Sequence, residues 1–153
     1  MKKMICLAGM GLLLVSTVLL SCAPVQVTKT PITKSTLSNL QGRWEGWTTF
    51  SSFPASQVLT VMEINNNTVP IQGKITLNNL PDGVAALFPS SVLSAGNSAI
   101  LDFDNGEISD QGTLIGTKGK NFLELTYYAG GKPRFDGWFY YQGARGTMSV
   151  NKK

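Results

Sequence analysis

Between Val69 and Leu77 the chain alternates strictly. Val69, Ile71, Gly73, Ile75 and Leu77 fall on one side, and Pro70, Gln72, Lys74 and Thr76 on the other. A period of two puts one set on each face of a β-strand, so one face is apolar and the other wet. Pro70 stands near the start of this strand, where a missing N–H donor matters least. Such a strand must bury its apolar face against others of its kind, and the rest of the chain supplies them.

From Leu40 onward the sequence is a series of short β-prone runs separated by turn residues. Trp44, Gly46, Thr48 and Phe50 alternate with Arg43, Glu45, Trp47 and Thr49, and Val58, Thr60, Met62 and Ile64 share a face of the next run. Asn65-Asn66-Asn67 supplies a turn, because Asn tolerates left-handed backbone. Ala99 to Phe103 is followed by Asp104-Asn105-Gly106, which reads as a tight hairpin, since Asn-Gly adopts the positive φ of a type I′ turn at low cost. Glu107 to Thr117 follows, with an irregularity expected at Asp110-Gln111-Gly112. Asn121 to Tyr128 places Leu123, Leu125 and Tyr127 together. Gly130-Gly131 makes a turn, and Arg134 to Tyr141 and Ala144 to Val150 complete the series. About eight strands with short connections predict an all-β fold, a small antiparallel up-and-down β-barrel whose closure removes exposed edges. Eight strands enclose a filled interior or room for one small ligand. Gly at strand positions 46, 73, 116, 137 and 146 suits bent barrel strands.

The segment from Asn78 to Asn97 departs from this pattern. It carries Leu80, Val84, Leu87, Phe88, Val92 and Leu93. A connection of that length has a function or contains an element of its own. Residues 83–88 read as one helical turn closed before Pro89 or as part of another strand, and the whole segment as a lid over one barrel mouth.

The first 21 residues read differently again. Lys2 and Lys3 are followed by an uncharged, mostly apolar stretch from Met4 to Leu20, then by Ser21 and Cys22. A basic start, an apolar core and a small residue before the cut are the parts of a secretory signal. Leu19-Leu20-Ser21-Cys22 resembles the lipobox of bacterial lipoproteins. That resemblance implies a signal peptide over 1–21, removed so that Cys22 becomes a lipid-bearing (palmitate-type) N-terminus. Ala23, where Asp would signal retention, implies the outer membrane, facing the periplasm, in a Gram-negative cell. Residues 22–39, rich in Thr, Ser and Pro, read as a flexible tether, and 40–153 as the barrel domain.

Gly42-Arg43-Trp44 resembles the Gly-x-Trp at the start of the first strand of lipocalin-like and avidin-like barrels. The resemblance implies that Trp44 plugs one end of the barrel under a basic residue from the last strand. Arg145 is the basic residue of the Ala144–Val150 run, although its alternation puts it opposite Met148 and Val150. Lys152 and Lys153 read as a solvated tail.

Composition narrows the chemistry. The sequence has no His, and its two Cys are Cys6 in the leader and Cys22. Ser–His and Cys–His catalysis and His-based zinc sites are thereby excluded. Asp102, Asp104, Glu107 and Asp110 cluster around the expected hairpin, where acidic side chains are ordinarily solvated. The start Asp102-Phe103-Asp104-Asn105-Gly106 is like an EF-hand loop. However, its Gly comes one position early, and Thr113 stands where a bidentate Glu is needed. We therefore expect no enzyme, no metal and no cofactor. Without Lys2 and Lys3, 11 basic residues face 9 acidic ones, a formal charge of +2 spread without a stripe. This argues against nucleic acid.

Two functional expectations follow. In the first, an envelope lipoprotein binds a small lipophilic ligand in the barrel, lined by Trp44, Phe50, Leu125, Tyr127 and Phe139 with Leu87 and Phe88 near the mouth. In the second, Trp47, Trp138 and Tyr140 form an outer aromatic patch that holds an envelope protein in a structural or inhibitory role.

Overall fold

The computed structural model describes residues 27–118 and 121–153, so the leader, Cys6 and Cys22 lie outside it. Ten strands are present among these residues: β1 (Thr28–Lys29), β2 (Gly42–Phe50), β3 (Phe53–Ile64), β4 (Ile71–Asn78), β5 (Leu93–Ser94), β6 (Ser98–Ile108), β7 (Leu114–Lys118), β8 (Asn121–Ala129), β9 (Arg134–Tyr141) and β10 (Ala144–Lys152). Eight of them close into an antiparallel barrel in the order β2-β3-β4-β6-β7-β8-β9-β10, each beside its neighbour in sequence. Closure is made by β10 on β2, from Gly146↔Phe50 to Lys152↔Trp44. The meander leaves no long free edge, as the alternation predicts.

The barrel has two plugged ends. At the first, a 3-10 turn (Leu37–Asn39) leads into Leu40, and the Trp44 indole N–H donates to the Leu40 carbonyl at 2.9 Å. At the second, Asn78 to Asn97 folds as a short helix α1 (Asp82–Ala85) and the β5–β6 hairpin. Leu80, Val84 and Phe88 from this segment are buried among the barrel's inner residues. The expected lid is therefore a plug.

Three sequence expectations are corrected. Asp104-Asn105-Gly106 is not a hairpin, because β6 runs straight through it. Between Ile71 and Gly73 of β4 the partners step from Gly106 to Phe103, so β6 carries one extra residue, a bulge. Gly106 is there for close approach, since a Cβ would sit 2.6 Å from the Ile71 carbonyl oxygen. The turn instead falls at Ser109–Thr113. There the Gly112 N–H donates to the Ser109 carbonyl at 2.8 Å, and Gly112 takes φ +70° against Pro31.

The second correction concerns the tether. Its described part, residues 27–39, lies along the barrel. Thr28 and Lys29 pair with Ala129 and Tyr128 of β8, the Ile32 N–H donates to the Gly112 carbonyl, and Ile32 is buried. β7 pairs with β8 only as far as Leu114↔Leu125, so the N-terminal segment takes up the β8 groups that β7 leaves free. Third, the C-terminal lysines are not a loose tail. Lys153 pairs with Glu45 at 2.8 Å, and Lys152 reaches back over Trp44.

Candidate functional site

The residues expected to line a ligand pocket converge inside the barrel, but they fill it. Trp44 meets Phe135 at 4.6 Å between ring centroids and Tyr127 at 6.2 Å, edge to face. At the other end Phe50 meets Phe139 at 5.7 Å and Phe88 at 5.9 Å, both close to perpendicular. These are favourable edge-to-face separations. Leu125 is fully buried, while Leu87 is only half-buried at the plug. Between the two aromatic clusters, the Thr60 hydroxyl donates to Thr48 at 2.8 Å, so even the buried polar pair is satisfied within the wall. Of the two interiors the sequence allows, the filled one is seen: Trp44, Phe50, Phe88, Leu125, Tyr127 and Phe139 are buried members of one core cluster. An apolar crevice of about 30 Å³ remains between β6 and the β7–β8 hairpin, lined by Ile75, Leu101, Phe103, Leu123 and Phe139 among others. That is room for roughly one water-sized group.

The first plugged end has the arrangement that the Gly-x-Trp resemblance implies, with a different basic residue. Lys152, directly opposite Trp44 in the β10–β2 ladder, holds its Nζ 5.5 Å from the Trp44 ring centroid and donates to the Asn39 carbonyl. Arg145 is at the other end of β10 and lies 5.4 Å over Trp138 instead.

The outer surface carries what the interior lacks. Odd-numbered residues of β10 face outward, and directly opposite them stand Trp47, Asp136, Trp138 and Tyr140. Trp47 is 52 % exposed and Tyr140 40 %. Trp138 is half-buried because Phe122 stacks beside it at 4.9 Å and Arg145 covers it. Phe122 stands opposite Tyr140 across β8–β9. The structure therefore brings Trp138, Tyr140, Phe122 and Arg145 into one patch on β8, β9 and β10. Trp47 stands apart on β2, two strands away and one pair along, or roughly 12 Å by strand spacing and rise. Between them runs a groove of about 410 Å³, floored by Thr147 and Ser149 and edged by Trp47, Gln57 and Asp136. The Ser149 hydroxyl donates to Asp136 at 2.6 Å, which fixes that edge.

The sequence reading missed Phe122, Arg145, Gln57 and Asp136 as members of this surface. The alternation of β3, β8, β9 and β10 puts each on the outward face, but the register that makes them neighbours depends on pairing across the barrel.

A second outward feature lies on β2, β3 and β4. Glu63 joins Lys74 at 2.9 Å and Arg43 at 3.2 Å, and Glu45 joins Arg43 at 2.7 Å and Lys153 at 2.8 Å. The Lys153 hydrogen bond holds the Glu45 carboxyl below its ordinary pKa, and the Lys74 hydrogen bond does the same for Glu63. Hydrogen bonding to Glu45 raises Arg43. Three cations and two anions alternate in this chain, and every member of it is engaged in at least one ion pair. Among the described residues, no three of His, Cys, Asp and Glu converge as a metal site would require, and the Asp102–Asp110 carboxylates are spread along an exposed strand and turn.

Fold and surface together define a small, closed eight-stranded antiparallel barrel, consistent with a calycin-like architecture, with a filled interior and an aromatic outer wall. Comparison with protein-family models, with curated proteins and with solved structures found no match.

Proposed function

We propose that this chain is a bacterial cell-envelope lipoprotein whose solid barrel serves as a rigid scaffold for binding another envelope protein. Export and anchoring rest on Lys2-Lys3, the apolar Met4–Leu20 stretch and Leu19-Leu20-Ser21-Cys22. Cys22 carries the lipid, and Ala23 directs the protein to the outer membrane of a Gram-negative cell. Kinship with lipocalin-like barrels is supported by Gly42-Arg43-Trp44 and by Lys152 over Trp44.

One observation carries the binding reading. Phe122, Trp138 and Tyr140 are gathered beside Arg145 on the outer face of β8, β9 and β10 with Tyr140 open to solvent, and Trp47 stands exposed across a groove from them. Exposed Trp and Tyr held rigidly by the sheet are the residue types that anchor protein contacts, and Arg145 beside them is the third. The groove between Trp47 and Asp136 would take a side chain of the partner. A mature chain without His or free thiol has no Ser–His or Cys–His catalysis.

The test is site-specific photocrosslinking in the cell of origin, with the photoreactive residue at Tyr140 or, as a control, at exposed Val69 far around the barrel. A single crosslinked protein adduct at position 140, absent at 69 and lost when Trp138→Ser is added, is the expected result. No adduct at position 140, or the same adducts at both positions, would refute the reading.

A further inference from the structure

We propose that the barrel lies on the membrane with its first plugged end down, held there by lysines that meet anionic phospholipid headgroups beside the lipid anchor. The inference rests on the lipoprotein reading of Cys22 and adds a docked orientation to it. The chain reaches the barrel at β1, six residues on from Cys22. Six residues span about 20 Å at full stretch, so the barrel can never stand far from the lipid that holds it. It arrives at a defined place. Thr28 pairs with Ala129, which puts Val27 beside the Gly130–Pro133 turn at the end of β8.

That rim is basic and uncommitted. Lys29 and Lys132 flank the point of arrival, Lys34 follows on the same segment, and all three are exposed. None of them takes part in an ion pair among the described residues. Lys29, Tyr128 and Arg134 stand in one row across β1, β8 and β9, with Arg134 5.0 Å over the Tyr128 ring. Most acidic groups at this end are already paired. Asp136 is paired with Arg134, and Glu45 and Glu63 lie within the β2–β4 network, whereas Glu107 and Asp110 carry no ion pair among the described residues and lie at the β6–β7 turn, whose Gly112 packs against Pro31. The unpaired lysines are gathered on the N-terminal segment and the β8–β9 turn, where the anchor arrives. Surface charge acts within about 8 Å at physiological salt, and the short tether keeps these lysines near that range. In this orientation the outer patch of Trp138 and Tyr140, toward the far end of β9, stays clear for a partner.

The experiment uses the full, exported and lipidated chain. Gly131→Cys places a thiol on the rim, where nothing lies within 4 Å of the added Cβ, and Ser94→Cys places one at the opposite end. Each is labelled with a fluorophore and reconstituted on phosphatidylethanolamine vesicles containing phosphatidylglycerol, with a headgroup-attached quencher. Phosphatidylcholine vesicles with the same quencher serve as the uncharged comparison. Quenching is expected at 131 and not at 94, stronger with phosphatidylglycerol and relieved by high salt. Lys29→Gln with Lys132→Gln should shift the docked equilibrium by roughly 25-fold, about fivefold per lysine. Equal quenching at both positions, or quenching at 131 indifferent to phosphatidylglycerol and salt, would overturn the proposal while leaving the anchor intact. The mass of the vesicle-bound protein separates the two readings, since a chain without lipid on Cys22 overturns both.

Discussion

Replacing Phe50 by Ala probes the filled interior directly. The Phe50 ring is fully buried and meets Phe88 and Phe139 edge to face. Removing it forfeits about 1.5–3 kcal/mol of apolar burial. It also breaks two aromatic pairs, each worth about 0.5–1.5 kcal/mol. The plug and the wall come from separate segments and cannot both collapse into the gap, so the expected loss is about 4 kcal/mol, within the range for Phe→Ala in packed cores. For a domain of this size that corresponds to a fall in Tm of roughly 12–20 °C. Urea unfolding followed by circular dichroism reads the loss as a shift in midpoint at unchanged slope. A loss below about 1.5 kcal/mol would show that the ring borders open space. That would return the barrel to the class of ligand carriers.

Two further outcomes follow from the same packing. Ile32→Ala should release the N-terminal segment from the barrel, because Ile32 is its buried anchor. Trypsin should then cut at Lys29 and Lys34 many times faster, while the core unfolds at nearly the same urea concentration. Unchanged cleavage would mean that β1 and the Gly112 hydrogen bond hold the segment alone. The charge network predicts an acid-side effect. Glu45 and Glu63 have lowered pKa values in the folded state, so their stabilisation is present above the ordinary carboxylate value near 4.5 and is lost as pH falls through the folded values. Glu45→Gln with Glu63→Gln should therefore flatten the fall of Tm below about pH 4.5. Equal slopes in both proteins would show that the pairs are fully screened by solvent.

The strands were legible in the sequence because alternation is local. Val69–Leu77 and Arg134–Tyr141 each announce an inner and an outer face without reference to the rest of the chain. What was illegible depends on partners. Asn105-Gly106 has the chemistry of a hairpin turn and also that of a bulge, and only the approach of Ile71 decides between them. Lys152 looks like a tail until the β10–β2 register puts it opposite Trp44. The stretch from Val27 to Asn39 is polar enough for a tether, yet β7 ends early and leaves β8 groups for it to pair with. The outward grouping of Trp138 with Tyr140 was legible from the alternation of one strand, but not the neighbours that complete or leave it. Trp138 with Phe122 and Arg145, and Trp47 across a groove, follow from register alone.

A barrel that is solid and acts through its surface carries no small molecule inside. Native mass spectrometry of the lipidated chain, exported and purified gently, tests this most directly. A solid barrel gives the mass of the lipidated chain with no added small molecule. An added small mass that leaves on denaturation would contradict it and place the function inside the barrel.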